Sequence, residues 1–224
     1  MDYMTLNVVI TGANRGIGLA LTELYCARGY HVFAICRKTS YALNQTPAEV
    51  IENIDVQEEA CLTLLTEKLQ DIQVDLLINN AGIFTYDSLD SLSFDDVEQQ
   101  LSVNTIGPLR VTLALLKNLR DGAKVGLITS RMGSISDNNS GGYYGYRMSK
   151  AALNAMGKSL AVDLKIRKIA VAILHPGFVQ TEMVSHQGDI SANTAAQRLS
   201  RRIDELTLHN SGSFWHSNGD LLTW

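Results

Sequence analysis

Tyr146 and Lys150 stand four residues apart at the start of an apolar-periodic segment. On a helix that spacing puts two side chains on one face, about 6 Å apart along the axis. A phenol is a poor acid near neutrality, with an ordinary pKa near ~10. An ammonium within roughly 4 to 6 Å favours the phenolate and lowers that value, so Tyr146 could trade a proton with a substrate oxygen. The same pair also occurs on solvated helix faces, so its meaning depends on what the rest of the chain brings to it.

A second chemical signal lies near the start. Residues 6–10 are a β-branched run, followed by Thr11-Gly12-Ala13-Asn14-Arg15-Gly16-Ile17-Gly18 and then by Leu19, Leu21, Leu24 and Tyr25 at helical spacing. A strand, a glycine turn and a helix in this order suit a dinucleotide: Gly12 allows the tight turn, Gly16 lets backbone approach a diphosphate at the helix N-terminus, and Gly18 permits close packing. The next apolar run, 31–36, ends in Arg37 rather than in an acid. An acid there would bind a ribose 2′-hydroxyl, whereas an arginine accommodates a 2′-phosphate, so Arg37, with Arg15 as a second cation, favours NADP(H) over NAD(H). NAD(H) stays possible, because Arg37 could also be a plain solvated loop residue.

Positioning these groups requires alternating elements. Further strands are expected at 50–55, 74–78, 125–129 and 170–174, with helices over 58–69, 93–119, 143–166 and 192–206. Residues 38–48 are polar and contain Pro47, which predicts a short helix there or none. Asn104 sits inside the apolar face of 93–119, where an amide needs a specific partner or an ordered water. Pro108 could bend that helix and free a carbonyl. The pattern predicts one α/β domain over 1–224: a doubly wound, mainly parallel sheet with helices on both faces, of the Rossmann type. Gly12, Arg37, Asp55, Asn80, Ser130 and Pro176 then fall at strand ends along one rim, where such folds bind ligands.

Composition narrows the alternatives. With 224 residues, 46% hydrophobic and 19% charged, the chain reads as globular, and a net charge of -4 offers no basic patch for nucleic acid or a membrane surface. Cys26, Cys36 and Cys61 lack metal-ligand spacing and suit free thiols in a reducing cytoplasm, while His209 and His216 are too isolated to suggest zinc. No metal is expected. Met1-Asp2-Tyr3-Met4 lacks a basic leader, and apolar runs are strand-length.

Taken together, Thr11 to Gly18, Asp55, Asn79-Asn80-Ala81-Gly82, Asn104, Ser130, Tyr146-x-x-x-Lys150 and Pro176-Gly177 resemble the short-chain dehydrogenase/reductase superfamily in its single-domain branch. Arg131-Met132-Gly133-Ser134, the Gly-Gly-Tyr-Tyr stretch before Tyr146 and the short aromatic C-terminus resemble its C-factor and sniffer-type carbonyl reductase group. The resemblance implies that Tyr146 is the general acid in carbonyl reduction, that Lys150 lowers its pKa and binds the nicotinamide ribose, that Ser130 hydrogen-bonds the substrate oxygen, and that Asn104 anchors a relay water. It places the cofactor on Gly12, Asn14, Arg15, Gly16, Ile17, Gly18, Arg37, Asp55, Val56, Asn80, Ala81, Gly82, Tyr146, Lys150, Pro176, Gly177, Val179 and Thr181. Ser134 is the alternative to Ser130, because Asp137-Asn138-Asn139-Ser140 looks like an insertion.

The resemblance implies an NADP(H)-dependent oxidoreductase acting on a carbonyl or secondary alcohol, as a homodimer or homotetramer. A short segment around Phe178 and Met183 predicts an open site for small or varied carbonyls. The competing reading is a cofactor-binding signalling protein of C-factor type with incidental turnover, against which stands the complete set Asn104, Ser130, Tyr146 and Lys150. A nucleotide-sugar epimerase shares the tyrosine and lysine but needs a substrate domain for which there is no room.

Overall fold

A computed structural model describes residues 5–224, apart from the Cys61 side chain. The expectations about the N-terminal leader, on Met1 to Met4, and about a free Cys61 thiol lie outside the described residues.

β1 (Asn7–Thr11) is flanked by β2 (His31–Ile35) and β4 (Val74–Asn79), all parallel. With β3 (Glu49–Ile51), β5 (Leu119–Ile128), β6 (Ala170–His175) and β7 (Phe214–His216), the sheet runs β3-β2-β1-β4-β5-β6-β7, parallel throughout. Its strands are near-continuous apolar runs because both faces are covered. Val9, Phe33, Leu77, Val125 and Ile173 face one core with Leu65, Val111 and Leu153. Val8, Ile10, Leu76, Ala172 and Leu174 face the other with Leu21, Leu199 and Ile203. The first core lies under α3 (Glu59–Lys68), α5 (Gly107–Ala114) and α6 (Tyr144–Asp163), with α4 (Phe94–Leu101) packed on α6, and the second under α1 (Gly16–Ala27) and α7 (Ala192–Asp204), with α2 (Tyr41–Asn44) as the short helix after β2.

Three expectations are corrected and one strand is added. The helix over 93–119 is divided into α4, a π-turn at Ser102–Ile106 and α5, and residue 119 already belongs to β5. Pro108 explains the division: it offers no N–H to the Asn104 carbonyl at α-helical spacing, and the Gly107 N–H bonds Ser102 instead. The third strand stops at Ile51, because Asn53 takes a left-handed φ of 63°, so Asp55 lies in the loop beyond it. The helix over 143–166 starts one residue late, with Tyr143 left-handed, and its α-helical part ends at Asp163 in a 3₁₀ turn. The aromatic C-terminal piece is a true edge strand, paired to β6 through Phe214, Trp215 and His216.

The chain leaves β1 toward β2 and β3, then returns to β4 on the other side, which opens a crevice between the carboxyl ends of β1 and β4. There the Thr11 hydroxyl accepts the N–H groups of Asn80 (3.0 Å) and Ala81 (3.1 Å), and the Asn80 amide donates to the carbonyls of Thr11 and Gly12.

Candidate active site

Two adjoining cavities occupy the rim. The first, about 420 Å³, lies over the ends of β1, β2 and β4, and the second, about 550 Å³, over the ends of β5 and β6. Tyr146, Thr181 and Pro176 line both, so the phenol stands at their common wall.

The first cavity has the features of a nucleotide cleft. Gly12 turns at φ +65°, and a Cβ there would lie 2.8 Å from the Ala81 Cα; a Cβ at Gly18 would lie 2.1 Å from the Gly12 carbonyl oxygen. The glycines thus pack the turn against α1 and the β4 loop more than against the strand itself. α1 begins without a side-chain cap or an acid in its first turn, which leaves its N–H groups free for an anion such as a diphosphate. Gly12, Asn14, Arg15, Gly16, Ile17, Arg37, Asp55, Val56, Asn80, Ala81, Gly82, Lys150 and Thr181 all line this cleft. Gly18 does not; Gly177, Val179 and Ser130 line the second cavity instead. Arg37 stands 3.8 Å from Asp55, and Arg15 pairs with Glu182 across the mouth. Donor set, glycine turn and rim cations together fit a phosphorylated dinucleotide.

Lys150 is almost wholly buried, and its ammonium donates to the Ile128 carbonyl at 3.0 Å, 5.7 Å from the centre of the Tyr146 ring. Burial pushes Lys150 down to about 8. Burial also pushes the Tyr146 phenol up to about 12, opposed by the Ser130 hydroxyl. Lys150 does not lower the phenol as the spacing predicts: loss of water around the phenolate dominates.

Ser130 ends the β5 turn and lines the second cavity, while the Ser134 hydroxyl accepts the Asp137 N–H at 3.2 Å and lines neither cavity. Asn104 is fully buried: its oxygen accepts the Ile83 N–H (2.8 Å), and its amide donates to the Ile83 carbonyl (2.9 Å) and to Ser149 (3.0 Å). Ser149 in turn donates to the Tyr146 carbonyl at 2.8 Å. The side chain is consumed in tying the β4 loop to α6.

Several residues carried no sequence signal. Asp87, buried, accepts the N–H groups of Tyr144 and Gly145, and so caps α6 from the β4 loop. Phe84 packs edge-on to Tyr146, ring centres 5.0 Å apart, and lies 5.8 Å from Tyr143. His175 faces His216 edge-on at 4.8 Å, both in the second cavity, and burial with nearby cations pushes His175 down to about 3. His216 looks isolated in the sequence because its partner lies on the adjacent strand, where sequence distance is no guide.

Comparison with known proteins agrees with this arrangement. The family described as short chain dehydrogenase matches residues 6–191. A 1-hydroxy-2-glutathionyl-2-methyl-3-butene dehydrogenase of Rhodococcus sp. (strain AD45) is 36% identical over 97% of this chain and 99% of that protein. The C-signal protein of Myxococcus xanthus is 42% identical over 67% of this chain and 93% of its own. The NADPH-bound carbonyl reductase from chicken fatty liver superposes with a TM-score of 0.87 at 27% identity, covering 99% of this chain and 100% of that one.

Proposed function

The chain belongs to the short-chain dehydrogenase family, and on that footing we propose that it is an NADP(H)-dependent oxidoreductase that interconverts a carbonyl and a secondary alcohol with Tyr146 as general acid and base. One observation carries the reading: Tyr146 stands at the wall shared by a dinucleotide-shaped cleft and a second cavity, with Lys150 one turn behind it and Ser130 facing the second cavity.

When bound, the reduced nicotinamide supplies a hydride. The chain's own residues supply the rest. A half-buried phenol pushed up to about 12 is protonated at neutral pH, the state a general acid needs in the reductive direction. Ser130 donates to the substrate oxygen as negative charge grows on it. Lys150, still largely protonated near pH ~7, would hold the cofactor ribose, and its positive charge would steady the phenolate left when Tyr146 gives its proton to the substrate oxygen. Any relay at Asn104 runs through its main-chain carbonyl, because both ends of its amide are engaged. Arg37 and Arg15 select the 2′-phosphate, in keeping with the NADPH held by the chicken reductase. Exposed Ile106, Leu113, Met148, Val162 and Ile166 on the α4-to-α6 side support a homodimer or homotetramer, which light scattering at micromolar concentration tests. No helix among the described residues is long and apolar enough to cross a membrane, and the free thiols Cys26 and Cys36 suit a reducing cytoplasm.

Loss of NADPH absorbance against a panel of aldehydes, ketones and diketones tests the activity, and the same assay with NADH tests the cofactor preference. A second reading, a cofactor-binding signalling protein with incidental turnover, draws on the likeness to C-signal. It predicts NADPH binding with no carbonyl consumed at a useful rate.

A further inference from the structure

Arg147 follows Tyr146 directly in α6 and lines the same second cavity. Its guanidinium forms no ion pair among the described residues: it donates to the Met132 carbonyl at 3.4 Å and to the Ser140 hydroxyl at 2.9 Å, and its Nε is buried without a partner. Asp137, on the same wall, is taken by Arg131 and feels Arg147 only as a further cation. Two cations and one anion leave that wall with a surplus positive charge.

The other titratable groups around the cavity do not cancel it. Asp189 is exposed on the loop after β6, where water screens it, and His175 and His216 are imidazoles that burial holds below their ordinary range, hence neutral near pH ~7. Phe84 and Tyr143 supply apolar surface beside the arginine, which strengthens any charge interaction made there. The terminal nitrogens of Arg147 make only one long contact to a carbonyl and one to a hydroxyl, both neutral, and a carboxylate matches a guanidinium's planar fork with two parallel hydrogen bonds.

Resting on the oxidoreductase reading above, we propose that the substrate is a carbonyl compound or alcohol that also carries a carboxylate, bound by Arg147 while the reacting oxygen sits at Tyr146. Arg147 is then a specificity-determining residue, and the second cavity is an anion-selecting one.

Titration of the NADPH-bound protein with 3- and 4-formylbenzoate, and with the methyl ester of each, followed by quenching of NADPH fluorescence, separates charge from shape. At least one acid should bind about 10-fold or more tightly than its ester, as expected for a charge-assisted pair. Arg147→Gln should bring that ratio close to one, and Arg147→Lys should keep most of it. Ser140→Ala removes the arginine's tie to the loop but not its charge, and should preserve the preference; loss of the preference there would place the determinant in the loop and overturn the assignment. Equal binding of acid and ester by the parent protein, or a preference that survives Arg147→Gln, also overturns it. Turnover of the same compounds is read separately from NADPH absorbance. Preserved acid preference with no turnover of these compounds or of any carbonyl in the wider panel would sink the oxidoreductase reading and leave the anion site standing.

Discussion

The Asp87 carboxylate accepts the Gly145 N–H at 3.0 Å with one oxygen and the Tyr144 N–H with the other, while its carbonyl accepts from Tyr143. One residue of the β4 loop therefore satisfies the first donors of the helix that carries Tyr146, and holds Tyr143 at a left-handed φ of 54° that a bulky residue rarely adopts. Asp87→Ala should cost about 1–3 kcal/mol in urea unfolding. Because Tyr146 lies in that first turn, kcat should fall about 10-fold or more while NADPH affinity stays close to the parent value. Asp87→Asn, which keeps one acceptor, should fall between. An unchanged kcat in a destabilised Asp87→Ala would reduce the residue to a structural cap.

Lys150 predicts a conflict between activity and stability. Its folded pKa of about 8 lies below the ordinary lysine value, so the unfolded chain binds the extra proton and stability rises as pH climbs from about 8 toward ~10.5. Lys150→Met should abolish turnover yet stabilise the cofactor-free protein near pH ~7 by roughly 1–2 kcal/mol, after allowing for the lost bond to Ile128. The gain should shrink as pH rises through that window. Thermal melts at two pH values check this, and a variant less stable than its parent at both would contradict it.

Ser130 and Ser134 separate cleanly by geometry. Ser130→Ala should lower kcat about 100- to 1000-fold, the scale of losing one donor to a developing oxyanion. Ser134→Ala, whose hydroxyl serves the Asp137 N–H, should change turnover little. The reverse result would move the assignment to Ser134.

His175 makes the protein sensitive to acid. With a folded pKa of about 3 against an ordinary ~6.5, the group stabilises the fold above ~6.5, and that contribution is lost as pH falls toward 3. From pH ~7 to ~5 the loss from this residue is about 2 kcal/mol. His175→Asn should flatten the pH dependence of unfolding by that amount; parallel profiles for parent and variant would rule the effect out.

The sheet, the glycine turn and the tyrosine-lysine helix were legible because each announces itself locally, by apolar runs, by glycines between strand and helix, or by a four-residue spacing. The strand boundaries at Ile51 and Leu119 were not, since a single left-handed Asn53 decided the first and the turn at residues 115–118, tied by Asn118 to the carbonyls of Leu69 and Ile72, decided the second. Asp87 was invisible because the N–H groups that it caps lie 57 and 58 positions away. The phenol's electrostatics escaped for another reason: spacing places Lys150 near Tyr146, but only the folded surroundings show how much water the phenolate loses.

The β6 strand, apolar and buried along nearly its whole length, meets its last neighbour only through Phe214, Trp215 and His216. Until those residues leave the ribosome, a nascent chain displays an unpaired ladder of sticky backbone groups on that flank. Chains cut short before Phe214 should accordingly accumulate as insoluble aggregates rather than as weak enzymes, so stop codons late in the reading frame would be as damaging as early ones.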